Sequence, residues 1–127
     1  MSDRPLVLCA DDDEDILSLV ALRLERAGFR VARAVDGDQA LALARDLRPD
    51  VIVLDVMMPR MTGVEVLTEL RADASFADTR VVLLSARVQE SDVDRGLGAG
   101  ADAYLAKPFR APELVETVER LLAQERR

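Results

Sequence analysis

Apolar positions along the chain fall into two alternating patterns, short continuous runs and longer stretches that repeat every three to four residues. The runs at Pro5–Ala10, Arg30–Val35, Val51–Leu54, Val81–Leu84 and Ala103–Ala106 predict five strands. Between the first two, Ile16, Leu17, Val20, Leu24 and Ala27 share one helical face, and Gly28 is placed for a left-handed C-terminal cap. Asp36 and Gly37 introduce a second helix through Ala40, Leu41, Ala44 and Leu47, with Pro49 beyond its end. The turn at Thr62 and Gly63 leads into a third through Val64, Leu67 and Leu70, with Arg71 as a further position. Ser91–Ala99 reads as a fourth helix, short and mobile, because Gly96 and Gly98 each weaken it by roughly 0.5–1 kcal/mol relative to Ala. Pro112 leads a fifth through Leu114, Val115, Val118, Leu121 and Leu122, with Ala111 as a poor cap. Strands alternating with helices in this way predict an α/β domain built on a parallel sheet.

In an open parallel sheet the ligand crevice lies beyond the carboxyl ends of the strands. On this frame the first strand ends in Asp11, Asp12 and Asp13, the third in Asp55, the fourth in Ser85 and the fifth in Lys107. The stretch VIVLDVMMPRMTG poses the sharpest question, since a carboxylate buried alone is strongly penalised. Taken singly, each residue has an ordinary reading. Asp13 can cap a helix, Asp55 can end a strand in water, Ser85 can be a turn hydroxyl and Lys107 a surface charge. Four strand ends delivering polar groups to one rim carry more information than any one of them. Met57, Met58 and Met61 read as packing under a loop.

Composition narrows the class. The length of 127 residues, half of them hydrophobic, suits one domain with one core. A net charge of −7 and the lack of any basic run argue against direct nucleic-acid binding. The single cysteine, Cys9, cannot form an internal disulfide and reads as a small buried hydrophobe in a reducing compartment. No apolar run reaches the roughly 18 residues that span a bilayer, and MSDRPL does not resemble a secretion signal, so a soluble cytoplasmic protein without membrane insertion is expected.

Crowded carboxylates repel and are best relieved by a hard divalent cation such as Mg²⁺. A lysine can hold a phosphoryl oxygen and a serine hydroxyl can donate to another, while a carboxylate can itself be the nucleophile that forms an aspartyl phosphate. The chain has no histidine, so any such site is built from oxygen donors.

The succession ADDDED, LDVMMPRMTG, LLSAR and GADAYLAKPF resembles the receiver domain of bacterial response regulators, over essentially residues 5–125. The resemblance implies one receiver domain over 1–127, a flavodoxin-like fold with a five-stranded parallel sheet in the order 2-1-3-4-5 and helices on both faces. It implies Asp55 as phosphoacceptor, taking its phosphoryl group from a sensor histidine kinase or a histidine phosphotransfer protein. Mg²⁺, with Mn²⁺ as the alternative, would be bound by Asp12, Asp55 and the main-chain carbonyl of Met57, with Asp11 acting through a water. Lys107 would pair with the acceptor and then with a phosphoryl oxygen. Ser85 would be the switch hydroxyl, Ala86 would leave room beside it, and Tyr104 matches the aromatic position coupled to that hydroxyl. The Lys107–Pro108 bond resembles one that is cis in the family, and Met57 and Arg87 match positions that tune dephosphorylation.

The implied function is a phosphorylation-dependent switch that alters the face of helix four, strand five and helix five to control a downstream protein effector. The protein would be stand-alone, or the N-terminal receiver of a longer regulator. Ala103, Glu116 and Thr117 depart from the charged pattern of winged-helix-type receivers, which argues against their salt-bridged dimer and leaves a phosphorylation-dependent dimer open. Two rivals are an aspartate-nucleophile phosphohydrolase, whose usual second acid falls at Met57, and an adaptor that keeps the fold without phosphorylation.

Overall fold

A computed structural model of the chain describes residues 4–86 and 89–124. Five strands, β1 (Leu6–Ala10), β2 (Arg30–Ala34), β3 (Val51–Asp55), β4 (Arg80–Ser85) and β5 (Ala103–Ala106), alternate with five helices, α1 (Glu14–Arg26), α2 (Gly37–Leu47), α3 (Gly63–Arg71), α4 (Glu90–Gly98) and α5 (Ala111–Ala123). A single turn of 3-10 helix at Ala74–Phe76 precedes β4. The strands form one parallel sheet in the order β2-β1-β3-β4-β5, as the resemblance implies.

Alternation along each strand sends successive side chains to opposite faces. Leu8, Ile52, Leu54 and Leu83 pack beneath Ala40, Leu41 and Ala44 of α2 and Val66, Leu67 and Leu70 of α3. Val7, Val53, Val82 and Leu84 pack against Leu17, Val20 and Leu24 of α1 and Leu114, Val118 and Leu121 of α5. Cys9 lies in this second layer at 1% exposure, where burial pushes its thiol up to about 12, so it is an inert packing group. The central strands are covered on both sides, which accounts for their unbroken apolar runs. β2 and β5, at the edges, are only half-buried.

Helix starts follow the polar residues. Asp13 accepts from the amides of Asp15 and Ile16, Asp36 accepts from Gln39, and Thr62 forms a reciprocal capping box with Glu65. α5 begins one residue earlier than its sequence suggests, so its cap is Arg110 and not Ala111, without a side-chain bond, and Pro112 sits in the first turn. β1 begins at Leu6, not Pro5, and β2 ends at Ala34, before Val35.

The opposite end of the sheet is held by Arg71. Its Nε donates to Gly100 O at 3.0 Å and its Nη1 to Phe76 O at 2.8 Å, while Nη2 reaches Asp102 Oδ2 at 3.1 Å. Val81 N donates to the same Asp102 oxygen at 2.8 Å. One guanidinium thereby joins the end of α3, the turn before β4 and the start of β5.

α4 is the weakly anchored helix. It has no side-chain cap, and its buried residue among those described is Gly96. A Cβ there would lie 2.9 Å from Leu83 Cδ1 and 2.9 Å from the Tyr104 ring, so the helix touches the sheet through bare backbone. Gly98 has nothing within 4 Å of a built Cβ. Gly96→Ala should therefore lower stability by about 1–2 kcal/mol through overpacking. Gly98→Ala should raise it by up to about 1 kcal/mol. Urea unfolding of the two variants measures both, and equal gains would contradict this account of the α4 contact.

Candidate functional site

The order β2-β1-β3 places the carboxyl ends of β1 and β3 side by side, with Ala10 opposite Leu54 in register. The strand order reverses here, so this is the switch-point crevice of the fold. Asp11 leaves β1 at this point, and Asp55 is the last residue of β3, paired across to Leu84 of β4. The two carboxylates are buried, at 3% and 5% exposure, while Asp12 is exposed beside them. Oxygens of Asp11, Asp12 and Asp55 all lie within 4.8 Å of one another.

Lys107 arrives from the end of β5. Its Nζ lies 2.9 Å from Asp11 Oδ2 and 3.3 Å from Asp55 Oδ2, so one ammonium bridges the buried pair. Its own amide donates to Ser85 O at 2.8 Å, and the Lys107–Pro108 bond is cis. The Asp13 amide donates to Asp11 Oδ1 at 2.9 Å, and the Met57 amide to Asp55 Oδ1 at 3.4 Å. Burial, then the charge of Asp11, push Asp55 up to about 6, against the opposing pull of Lys107 and the Met57 amide. Burial alone would lower Lys107, but its bond to Asp11 and the charge of Asp55 outweigh that and raise it.

Ser85 ends β4 with its side chain buried, level with Ala106 of β5, and Ala86 beside it is exposed. Tyr104 is half-buried on β5. A cleft of about 210 Å³ opens next to the acid pair, lined by Val56, Met57, Ser85, Asp92, Arg95 and Tyr104 among others. Asp11, Asp12, Asp55, Ser85 and Lys107 thus converge as the strand ends suggest. Arg87 lies outside the described residues. Met58 is buried and Met61 partly so, but Met57 is 54% exposed and does not pack under the loop as expected. Its backbone turns toward Asp55, which sends the side chain to solvent.

The loop after β3 is seated on two glycines that sequence reasoning does not single out for this role. A Cβ on Gly37 would come within 2.5 Å of Met61 Cβ, and one on Gly63 would meet Asp55 O at 2.5 Å. Bare backbone at both places fixes the path of residues 56–62 against the end of β3.

Three carboxylates facing one ammonium leave negative charge uncompensated, and every side-chain donor in the cluster is a hard oxygen. That set fits a hard divalent cation.

Fold and rim together define a doubly wound α/β domain whose polar chemistry is gathered at the strand carboxyl ends. The family model described as the response regulator receiver domain matches residues 7–119, and the chain belongs to this family. It is 51% identical over 118 residues to the transcriptional regulatory protein PrrA of Mycobacterium tuberculosis, covering 93% of this chain and 50% of that protein. It is 45% identical to the DNA-binding dual master transcriptional regulator RpaA of Synechocystis, covering 93% and 49%. Among solved structures, the receiver domain of the Francisella response regulator 1452 superposes with a TM-score of 0.88 at 39% identity, covering 93% of this chain and 96% of that one. The chain spans about half the length of the curated relatives it matches. Receiver domains act as phosphorylation switches in two-component systems, between a histidine kinase and a downstream effector. No helix among the described residues is long and apolar enough to cross a membrane.

The raised Asp55 carboxyl gives a pH signature. Its folded value of about 6 lies above the ordinary 3.8, so its contribution to stability is fully present below about pH 4 and is lost as pH rises through 6. In EDTA at pH 7.5, Asp55→Asn should therefore be more stable than the parent, on the order of 1–2 kcal/mol. The gap should close at pH 4. Denaturant midpoints across this range test it, and a parent that gains stability between pH 5 and 7.5 relative to the variant would contradict it.

Proposed function

We propose that Asp55 accepts a phosphoryl group from a histidine kinase or histidine phosphotransfer protein and that the resulting charge resets the α4–β5–α5 face to control a protein partner. The observation that carries this reading is the Lys107 ammonium, 2.9 Å from Asp11 and 3.3 Å from Asp55, inside an acidic cluster at the sheet's switch point. In the transfer, an Asp55 carboxylate oxygen attacks phosphorus as the donor's P–N bond, or the P–O bond of an acyl phosphate, breaks. The leaving group departs with the bonding pair: the imidazole nitrogen released from P–N cleavage takes up a proton from solvent, and the carboxylate released from an acyl phosphate leaves as the anion. Asp12, Asp55 and the Met57 carbonyl would hold Mg²⁺, or Mn²⁺, with Asp11 acting through a water. The bound ion would supply positive charge to the cluster and to the transferring group.

Lys107 then turns from the carboxylates to a phosphoryl oxygen, and the Ser85 hydroxyl donates to another. Tyr104 lines the same cleft as Ser85 and its ring lies against Gly96, so a shift at Ser85 would reach the weakly anchored helix through this ring. Met57, exposed and without a basic group, offers nothing to align a hydrolytic water. Its side chain, together with Arg87, favours a long-lived phosphoryl group. Residues 1–127 are read as one receiver domain, and the net charge of −7 favours a protein over DNA as its direct contact. The output is a separate protein or the rest of a longer chain. The second case is favoured by relatives about twice this length whose names describe transcriptional or DNA-binding regulators.

Incubation with Mg²⁺ and acetyl phosphate should give a protein heavier by one phosphoryl group, and Asp55→Asn should give none. Intact-mass spectrometry distinguishes the alternatives: turnover without adduct indicates a phosphohydrolase, and no reaction an adaptor. Backbone resonances of 88–106 should shift on phosphorylation, and an unchanged spectrum there would rule out this output face.

A further inference from the structure

Two non-glycine residues among those described adopt positive φ, Arg48 at 51° and Arg60 at 71°. This conformation is costly for a residue with a Cβ and persists only where its surroundings over-determine it. For Arg48 the reason is local. It is the left-handed cap of α2, its guanidinium stacks 4.4 Å over the Phe76 ring, and Nη1 donates to Ser75 Oγ at 2.5 Å.

Arg60 has no comparable anchorage. Its side chain is 69% exposed, and its Nε stands 4.0 Å from Asp36 Oδ2, the outer limit of an ion pair. The backbone is imposed by the loop: Met61 N donates to Pro59 O at 2.9 Å, and Met61 rests on the bare backbone of Gly37. The loop thus fixes an unpacked cation at the rim, five residues after the acceptor. The segments that follow β1 and β2 at this end of the sheet are acidic, with Asp12, Asp13, Glu14, Asp15 and Asp38 exposed and Asp36, the ion-pair partner of Arg60, partly so. An incoming phosphoryl donor is a dianion and is repelled by such a rim.

We propose that Arg60 is a positioning residue for the phosphoryl donor, its exposed guanidinium offsetting the rim carboxylates and drawing the anionic group toward Asp55. The inference rests on the phosphoacceptor reading above and adds a specificity to it, a preference for donors of higher negative charge. Electrostatic attraction of this kind raises association rates and is screened by salt.

The test uses the intact chain with Mg²⁺ and two donors, acetyl phosphate and the less negatively charged phosphoramidate. Arg60→Asn removes the charge with a residue that tolerates positive φ. Arg60→Lys keeps it. At about 0.02 M salt, Arg60→Asn should form the acetyl phosphate adduct roughly threefold more slowly than the parent, with a smaller loss for phosphoramidate. The difference should vanish near 0.5 M salt, where screening is nearly complete. Arg60→Lys should recover most of the rate. Mg²⁺ affinity, followed by the fluorescence of the single tyrosine, should hold or rise in Arg60→Asn, since a cation has left. An adduct formed by Arg60→Asn at the parent's rate in low salt, or an equal loss for both donors at every salt concentration, overturns the inference alone. No adduct with the parent overturns the phosphoacceptor reading and this inference with it.

Discussion

Two carboxylates buried side by side at the ends of adjacent strands are tolerable because one ammonium reaches both. Asp11 and Asp55 lie where the strand order reverses, and Lys107 comes to them from the far edge of the sheet. The contact joins β1, β3 and β5, with β4 between the last two. It is also incomplete, since three acids share one cation and burial with the charge of Asp11 pushes Asp55 up to about 6. A site poised in this way gains from any further positive charge and from any chemistry that moves negative charge to where the lysine and the serine can meet it.

The layers around the sheet make that imbalance affordable. β3 and β4 are buried along nearly their whole length, so their register cannot slip without turning apolar side chains the wrong way. The same register sets Asp55 opposite Leu84 and Ser85 opposite Ala106. Rigid packing below and exposed loops above divide the molecule into a part that positions the chemistry and a part that can respond to it.

Much of this was legible in the residues. The apolar runs located all five strands, because buried parallel strands need no alternation to be recognised. They missed the ladder by a residue at the ends of β3 and β4, where hydrogen bonding continues through Asp55 and Ser85 after the apolar run has stopped. The convergence of Asp11, Asp12, Asp55, Ser85 and Lys107 could be read because each ends a strand or lies within two residues of its end. The Thr62–Glu65 capping box carries the Thr-x-x-Glu signature of a helix start in the sequence itself. What lay beyond reading depends on distant partners. The exposure of Met57 follows from its amide bonding Asp55, the φ of Arg60 from a loop seated on Gly37, and the inward guanidinium of Arg71 from carbonyls on Phe76 and Gly100.

The Arg71 junction bears on how a signal can travel. It pins the start of β5 to α3 and β4 through Asp102, at the end of the sheet away from the acids. The other end of β5 carries Lys107, whose ammonium rests on Asp11 and Asp55. The strand is therefore a cantilever, clamped at Asp102 and loaded at its tip. A displacement of the tip would grow with distance from the clamp, and Tyr104, two residues from Asp102 with its ring against Gly96, would carry the bending of a four-residue strand to α4.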